Sequence, residues 1–557
     1  MRLTFASVAR GLGCVTCFLV LGLSVPSRFR ATKVAAASDT GIAVTDALVI
    51  AKCGSCHNRD PGGNMEYVSW ERTTPEGWQG VLKRMILRNG LQLTPVEARA
   101  ILKYLSDSHG LTPNEAKPVL YEAERRIHEE IDIPNEGLHR ACEKCHSLGH
   151  VLAWRRSPVD WKQLASLHSS QYKVPVNDQV MSFLIKTAPL ESPEWTAWTA
   201  GERTPQLVGR WLITATIRGY GKYYGEMEVG PGSGADEFTT HVTLRSMRDG
   251  SIVKRSGTSV VYGGYAWRGR SKGSTPVTSA PDDFRNEMRE TLWISPDQSK
   301  AEGRWFWGQY QEFGFDVQLQ RANSGPTLLG LSPSSLKTGT QANRIRLVGD
   351  QMPSQVKPAD VGLGSGITVR RIISSSTNDL VAEVDVAADA ASGLRELVLG
   401  DRVLRNALAV YDRVDYIKLQ PESALAAFGD AQRSKGYEQF EVTGYQRGAD
   451  GKPHTADDVE LGPVDVTWSL QVFYAKEGSS SDIVGNISPS GLFTPATQSP
   501  QNNFDVWVIA TAPEEKTADG TPLLAKAYMV VTVPSYTFNG RRYVRDLDRW
   551  VDDGPSK

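Results

Sequence analysis

Hydrophobic and polar residues alternate along most of the chain after residue 208, a pattern typical of β-strands with one buried face. In the segment EFTTHVTL, for example, Phe238, Thr240, Val242 and Leu244 fall on the same face. Similar segments follow one another between Gly, Pro, Asp and Asn residues, which favour short turns. The pattern predicts an antiparallel up-and-down β-barrel over residues 191–322.

Two further strand-rich units follow the barrel. The first begins after RANSGPT, and its strand, Ser-Pro turn and second strand ending in Val-Gly-Asp resemble immunoglobulin-like domains of the IPT/TIG type. The second contains NISPSGLFTPAT and resembles bacterial immunoglobulin-like domains. We expect β-sandwiches over residues 323–412 and 413–557. The acidic loop at 448–462 is a weak calcium candidate, since its carboxylates miss the EF-hand spacing.

The region before the barrel has helical signals instead. TPEGWQGVLKRM (74–85) and SPVDWKQLASLH (157–168) each begin with a capping residue followed by proline, as helices often do. Proline-led helical stretches follow at 93–105 and 173–185. These signals predict an N-terminal all-α domain over residues 38–190, and hence a multidomain chain with an all-α domain followed by all-β domains.

The first 37 residues have the layout of a secretory signal peptide. Arg2 and Arg10 flank an acid-free start, an apolar run covers 11–25, and the small residues VAAAS follow. We expect cleavage near Ala37, export to the periplasm and no membrane span after processing. An uncleaved membrane anchor is the alternative, although the apolar run is shorter than the ~20 residues of a spanning helix.

Composition and charge narrow the function classes. Hydrophobic residues make up 40% and charged residues 22% of the 557 residues, and the net charge is -1. Basic residues are spread along the chain, so the electrostatic footprint of a nucleic-acid binder is missing. Residues beyond 190 contain no cysteine and only two histidines. The segments GSGAD and GLGSGIT there do not fit the GxSxG serine elbow. We therefore expect no metal cluster or catalytic Cys/His dyad beyond residue 190.

Two CxxCH strings carry the candidate chemistry. They read CGSCH at 53–57 and CEKCH at 142–146, and removal of the signal peptide leaves their four cysteines as the only ones. Covalent haem c attachment accounts for every residue, because the two thiols form thioethers with the vinyl groups and the adjacent His ligates the iron. We assign Cys53, Cys56, Cys142 and Cys145 to attachment, and His57 and His146 to the two irons.

Zinc binding and dithiol redox chemistry explain the strings less well. A zinc site could draw four ligands from two CxxC pairs, but the pairs lie 89 residues apart and each has its own His. A thioredoxin-like dithiol belongs in a βαβ setting, which neither string has. The helix that delivers Cys53 is predicted to be capped by Thr45.

An internal duplication predicts the second axial ligands. The segments 74–85 and 157–168 align without a gap, and their last residues are Met85 and His168. Each follows its Trp by seven residues, nearly two helical turns, so Trp and ligand share one helix face. We assign Met85 to the first haem and His168 to the second. Met65, in a Gly/Pro loop, is the alternative for the first haem.

The unequal ligands suggest a direction of electron flow. Met ligation raises a haem potential relative to His ligation. We therefore expect electrons to pass from the His146/His168 haem to the His57/Met85 haem.

The duplicated haem region with TPEGWQGVLKRM, followed by a barrel and two immunoglobulin-like units, resembles the alpha subunit of quinohemoprotein amine dehydrogenase. The resemblance covers essentially the whole mature chain. It implies two haems c here, a β-propeller partner subunit, and a small partner subunit with a cysteine tryptophylquinone. That quinone would oxidise primary amines, and this chain would relay the electrons to a soluble periplasmic acceptor, a cytochrome c or a blue copper protein. The resemblance thus implies no catalytic residue in this chain.

Two other functions stay open on the sequence. One is a self-contained dihaem cytochrome c peroxidase, which needs an iron with an open or displaceable ligand position. The other is a different dihaem electron-transfer subunit, or a binding module whose β domains dock a partner.

Overall fold

A computed structural model gives the structure of the protein. It describes residues 40–126, 130, 136–138, 141–142, 146–274, 280–323, 325–473, 481–497, 500, 502–534, 541–544 and 549–552. The predicted signal peptide and Cys145 lie outside these residues. Among the described residues, no helix is both long and apolar enough to cross a membrane.

The region that contains the two CxxCH strings is built mainly from helices. They are α1 (Ala47–Cys53), α2 (Pro75–Asn89), α3 (Pro95–Ser108), α4 (Pro113–Ala116), α5 (Leu120–Ala123), α6 (Glu136–Leu138), α7 (Leu148–Leu152), α8 (Pro158–Tyr172), α9 (Asp178–Thr187) and α10 (Pro193–Ala200). Two short strands, β1 (Glu71–Thr73) and β2 (Trp154–Arg156), pair antiparallel between them.

The prediction of an all-α N-terminal domain is wrong. The chain is mostly β, helix accounts for 20% of it, and the β1–β2 pair lies inside the region that the helical signals cover. Three residues are too few for an alternating pattern to show in the sequence. Each of these strands is held by a partner more than 80 residues away.

The next eight strands form a closed barrel in which each strand pairs antiparallel with its neighbours. They are β3 (Gly209–Ile217), β4 (Gly221–Pro231), β5 (Glu237–Ser246), β6 (Ile252–Tyr262), β7 (Ala266–Gly273), β8 (Met288–Ile294), β9 (Lys300–Trp307) and β10 (Phe313–Arg321). As the alternation predicts, Phe238, Thr240, Val242 and Leu244 are all buried. Aromatic side chains such as Trp305 and Phe315 fill the interior.

The third unit packs two four-stranded sheets around one core that includes Leu347 and Leu397. Its strands are β11 (Thr327–Ser332), β12 (Ser335–Lys337), β13 (Asn343–Asp350), β14 (Val361–Gly362), β15 (Ile367–Ser375), β16 (Asp379–Val386), β17 (Gly393–Leu399) and β18 (Arg402–Tyr411). The edge strand β12 pairs parallel with β18, and the other pairs are antiparallel.

The last unit has three sheets around a second core, plus one hairpin. Its strands are β19 (Tyr416–Gln420), β20 (Ser423–Ala427), β21 (Glu438–Gln439), β22 (Glu441–Gln446), β23 (Val459–Pro463), β24 (Thr467–Val472), β25 (Gly485–Ile487), β26 (Leu492–Pro495), β27 (Phe504–Lys516), β28 (Pro522–Thr532), β29 (Arg541–Val544) and β30 (Arg549–Asp552).

The helical region packs directly on the barrel. Arg268 of β7 pairs with Glu76 of α2, with 3.0 Å between Nη2 and Oε2. The Trp293 indole donates to the Pro113 carbonyl at 2.9 Å, and the Gly263 amide donates to the Asp107 carboxylate at 2.7 Å. The described residues from Gly41 onward form one compact unit, in which the barrel supports the region that contains the CxxCH strings.

Candidate functional site

The first CxxCH string is gathered by the end of α1. The helix is capped by Asp46, whose carboxylate accepts from the Val49 amide at 2.9 Å, one residue later than the predicted cap. Beyond the helix, the amides of Cys56 and His57 both donate to the Cys53 carbonyl, at 3.1 and 2.9 Å. This turn brings both thiols and the imidazole of the string to one place.

The side chains at this turn differ in exposure. Cys53 is half-buried and Cys56 is exposed. Burial, followed by the neighbouring Cys56, raises the pKa of the Cys53 thiol. The His57 ring packs edge-on to Tyr67, and its Nδ1 is buried without a hydrogen-bond partner among the described residues.

The second string repeats this local geometry where the structure describes it. The His146 amide donates to the Cys142 carbonyl at 3.3 Å, as His57 does to Cys53. Cys142 is buried in an apolar cluster with Leu148 and Trp161. The His146 Nδ1 donates to the Ser147 carbonyl at 3.0 Å, because a carbonyl can only accept. That bond assigns Nε2 as the ring nitrogen able to coordinate iron.

Helices α2 and α8 are the matching parts of the two repeats. Each has 15 residues, and Thr74 and Ser157 cap them by accepting from the Gly77 and Asp160 amides. Each ends at a residue in the left-handed conformation, Gly90 or Lys173. The tryptophans also correspond, since Trp78 and Trp161 donate to the His109 and Ala188 carbonyls at 2.9 Å.

Met85 and His168 occupy the same position in these two helices. Each is the eleventh residue of its helix, which is the correspondence that the sequence alignment predicts. The duplication therefore extends from the sequence to the caps, lengths and tryptophan contacts of both helices.

A cavity of about 240 Å³ unites the second set of predicted haem residues. Cys142, His146 and His168 all line it. Most of the other lining residues are apolar or aromatic, and they come from β2, from the helices α7, α8 and α9, and from the segment between α8 and α9. They include Val151, Trp154, Trp161, Leu164, Val176, Val180, Met181 and Leu184.

The hydrogen bonding of His168 suits an iron ligand. Its Nδ1 donates to the Leu164 carbonyl at 3.0 Å, which leaves Nε2 as the basic nitrogen. His150 also lines the cavity, but its ring lies 5.3 Å from that of His146, four residues earlier. His150 therefore approaches from the same side as His146, whereas His168 comes from α8. The residues of this cavity fit a haem c with two His ligands.

The first site contains two methionines in different settings. Met65 is fully buried in an apolar cluster with Trp78 and Ile101, and Cys53 packs against the same cluster. Met85 is half-buried on α2 outside that cluster, and its sulfur accepts from the Asn89 amide at 3.6 Å. The assignment of Met85 as ligand stays a prediction that rests on its equivalence to His168.

Other candidate ligands have structural roles. His109 is fully buried, its Nε2 donates to the Ile42 carbonyl at 3.3 Å, and burial lowers its pKa to about 4. Its own carbonyl accepts from Trp78, so it fastens α3 to α2. Val180 of α9 matches Ile101 of α3, because both are buried four residues before the last buried Leu of their helix.

Among the lining residues of the second cavity that the sequence did not predict are the cations Arg84 and Arg156 and the aromatic Trp154. Arg156 pairs with Glu71 and Asp160, and its guanidinium lies 4.7 Å above the Trp154 ring. Trp154 also meets Trp78 edge to face, with 6.3 Å between ring centroids. This contact joins the wall of the second cavity to the core of the first repeat. Trp154 and Arg156 could have been suspected from their position in the sequence, because they directly precede Ser157, the cap of α8.

The acidic loop at 448–462 is held by its own hydrogen bonds. Asp458 accepts from the Tyr416 hydroxyl and the Gly448 amide, and Asp457 accepts from Thr455. Across the part of the chain that the structure describes, no group of three or more His, Cys, Asp or Glu residues is placed to hold a metal ion.

Four family models match the chain in succession. They are the haem-binding domain of the quinohemoprotein amine dehydrogenase alpha subunit at 43–182, and domains II, III and IV of the same subunit at 204–322, 325–412 and 417–541. No curated protein matches the chain.

Similar solved structures are small or distant. A redesigned β-barrel has 14% identity and a TM-score of 0.17, covering 21% of this chain and 92% of its own. The immunoglobulin domains 1–4 of Sidekick-1 have 9% identity and a TM-score of 0.14, covering 59% of this chain and 96% of that one. TM-scores this low do not identify a shared fold.

Proposed function

The chain belongs to the family of quinohemoprotein amine dehydrogenase alpha subunits, and from this premise we propose that it is the electron-transfer subunit of such an enzyme. It carries two covalent haems c and receives electrons from a cysteine tryptophylquinone on a small partner subunit. That quinone oxidises a primary amine and water to an aldehyde and ammonia, releasing two electrons and two protons. The electrons leave one at a time to a soluble periplasmic acceptor.

One observation carries the proposal: Cys142, His146 and His168 line a single, largely apolar cavity. These residues come from the second CxxCH string and from α8, and the alignment of the two repeats independently groups the same three residues. An accidental CxxCH string would have no reason to meet a histidine with an available Nε2 across such a cavity.

The chain's own residues hold and tune the cofactor. Cys142 and Cys145 would hold the haem through thioether bonds. His146 and His168 would bind its iron through Nε2, because their Nδ1 atoms donate to the Ser147 and Leu164 carbonyls. Bound haem supplies one-electron redox chemistry at iron. The apolar walls exclude water, which limits the reorganisation that accompanies a change of charge. At the first site, Cys53, Cys56 and His57 would take the matching roles, and Met85 would be the second protein ligand of the iron.

The β domains serve as the scaffold on which partners assemble. The barrel fixes the haem region through the Arg268–Glu76 pair and the Trp293–Pro113 bond. The remaining surface of the barrel and the two C-terminal units is available to the β-propeller and quinone-bearing subunits. Residues 1–37 direct export to the periplasm, where the haems are attached.

Purification of the native complex tests this function. We expect the mature chain to copurify with a small subunit that stains for quinone, and its mass to include two haems. A Cys142→Ser, Cys145→Ser variant should lose one haem and keep the other. Isolation of the chain with two haems but without a quinone subunit, together with fast peroxide turnover, would instead identify a dihaem peroxidase.

A further inference from the structure

Arg84 is a cation from the first repeat that lines the cavity of the second. It lies on α2, next to Met85, yet it shares a wall with Cys142, His146 and His168. Neighbouring residues on a helix project about 100° apart. The same turn of α2 can therefore present Met85 to the first haem site and Arg84 to the second.

The guanidinium of Arg84 has no hydrogen-bond or ion-pair partner within the described part of the chain. Its side chain is exposed and makes no hydrogen bond or ion pair there. Arg156, the other arginine in this wall, is already bound to Glu71 and Asp160. An arginine at the edge of an apolar cavity is placed to pair with an anionic group of a ligand held in that cavity.

The internal duplication shows that this cation is specific to one side. The position of α8 that matches Arg84 is occupied by Leu167, which is 52% exposed. The first repeat therefore contributes a positive charge to the cavity of the second repeat. The second repeat has an uncharged leucine at the matching position.

We infer that Arg84 binds a carboxylate of the haem held in the second cavity, and so completes that site across the repeat boundary. The inference rests on the proposed function, since it requires haem in that cavity. Haem carries two propionate carboxylates, and the planar guanidinium matches a carboxylate with two parallel hydrogen bonds. A cation at this place also disfavours the ferric state, which has one more positive charge, and so raises the potential of the haem.

The test compares Arg84→Leu, Arg84→Lys and the control Arg88→Leu in the purified, haem-loaded complex. Arg88 lies one turn further along α2 and is outside the cavity wall. Redox titration is followed by spectra that distinguish the two haems, and haem content is measured by mass. We expect Arg84→Leu to lower the potential of the His146/His168 haem and to leave the other within error. Arg84→Lys should lower the potential of the His146/His168 haem by a smaller amount, and Arg88→Leu should leave both haem potentials unchanged.

Failure of the Arg84 inference can be distinguished from failure of the proposed function. If Arg84→Leu retains two haems and both potentials stay at their original values, Arg84 is not the anchor and the inference is overturned. Equal shifts of both haems, or equal effects of Arg84→Leu and Arg88→Leu, overturn it as well. If the unaltered chain carries no haem at Cys142 and Cys145, the proposed function itself fails. Should Arg84→Leu not fold, the smaller shift in Arg84→Lys decides the matter.

Discussion

Arg72 and Arg155 face each other as register partners in the two-stranded sheet that joins the repeats. They occupy matching places, each two residues before a capping residue, Thr74 or Ser157. Both are buried, and Glu115 lies between them. It accepts two hydrogen bonds from Arg72, at 2.8 and 2.9 Å, and one from Arg155, at 3.2 Å. One carboxylate therefore offsets the repulsion of two like charges at the repeat junction.

Replacing Glu115 with Gln should destabilise the haem region. The two arginines would stay buried without their counter-charge, and breaking a buried pair in this way costs about 3 kcal/mol. The free energy of unfolding is measured in urea from the haem absorbance. Glu287→Gln is the control, because its pair with Arg270 is exposed on both sides, and it should change little. Equal stabilities of the two variants would contradict this role of Glu115.

The contribution of Glu115 should depend on pH. Burial alone would raise its pKa, but the hydrogen bonds and charge of Arg72, and then the charge of Arg155, hold it below the ordinary value of 4.5. A lowered pKa in the folded state stabilises the protein above the unfolded pKa, and this is lost as the pH falls through the folded value. The stability gap between the wild type and Glu115→Gln should thus be constant near neutral pH and shrink under acid conditions. A gap that persists in acid would contradict the lowered pKa.

The sixth ligand of the first haem can be identified by exchanging the two methionines separately. Met85→Leu should abolish the charge-transfer absorption of Met-ligated ferric haem, because the iron loses its sulfur. Met65→Leu should keep that band and lower stability by about 1 kcal/mol, a typical cost for a volume-conserving change in a packed core. The reverse pattern would identify Met65, which is fully buried near Cys53, as the ligand.

The order of the two haem potentials should follow the ligands. Met ligation raises the potential relative to His ligation, so the His57/Met85 haem should be the easier to reduce. His168→Met should raise the potential of the second haem and narrow the difference. Redox titration of the purified complex measures both values. A higher potential at the His146/His168 haem in the unaltered protein would reverse the proposed direction of flow.

The sequence was most informative where a pattern is long or chemically strict. The alignment of Met85 with His168 predicts the matching helices α2 and α8, and the alternation around Phe238 predicts the buried face of β5. The assignment of the CxxCH strings to haem stays a prediction. The β1–β2 pair could not be predicted, because a strand of three residues is too short to show an alternating pattern of hydrophobic and polar residues. The position of Arg84 in the wall of the second cavity could not be predicted either. It depends on how α2 packs against the second repeat, and the local sequence does not show that contact.

Rapid mixing of the oxidised complex with a primary amine tests the central claim most directly. The account predicts that the quinone is reduced first and that the absorbance of both haems in this chain then changes to the reduced form. Complete reduction of the quinone while both haems stay oxidised would contradict the claim that this chain relays the electrons.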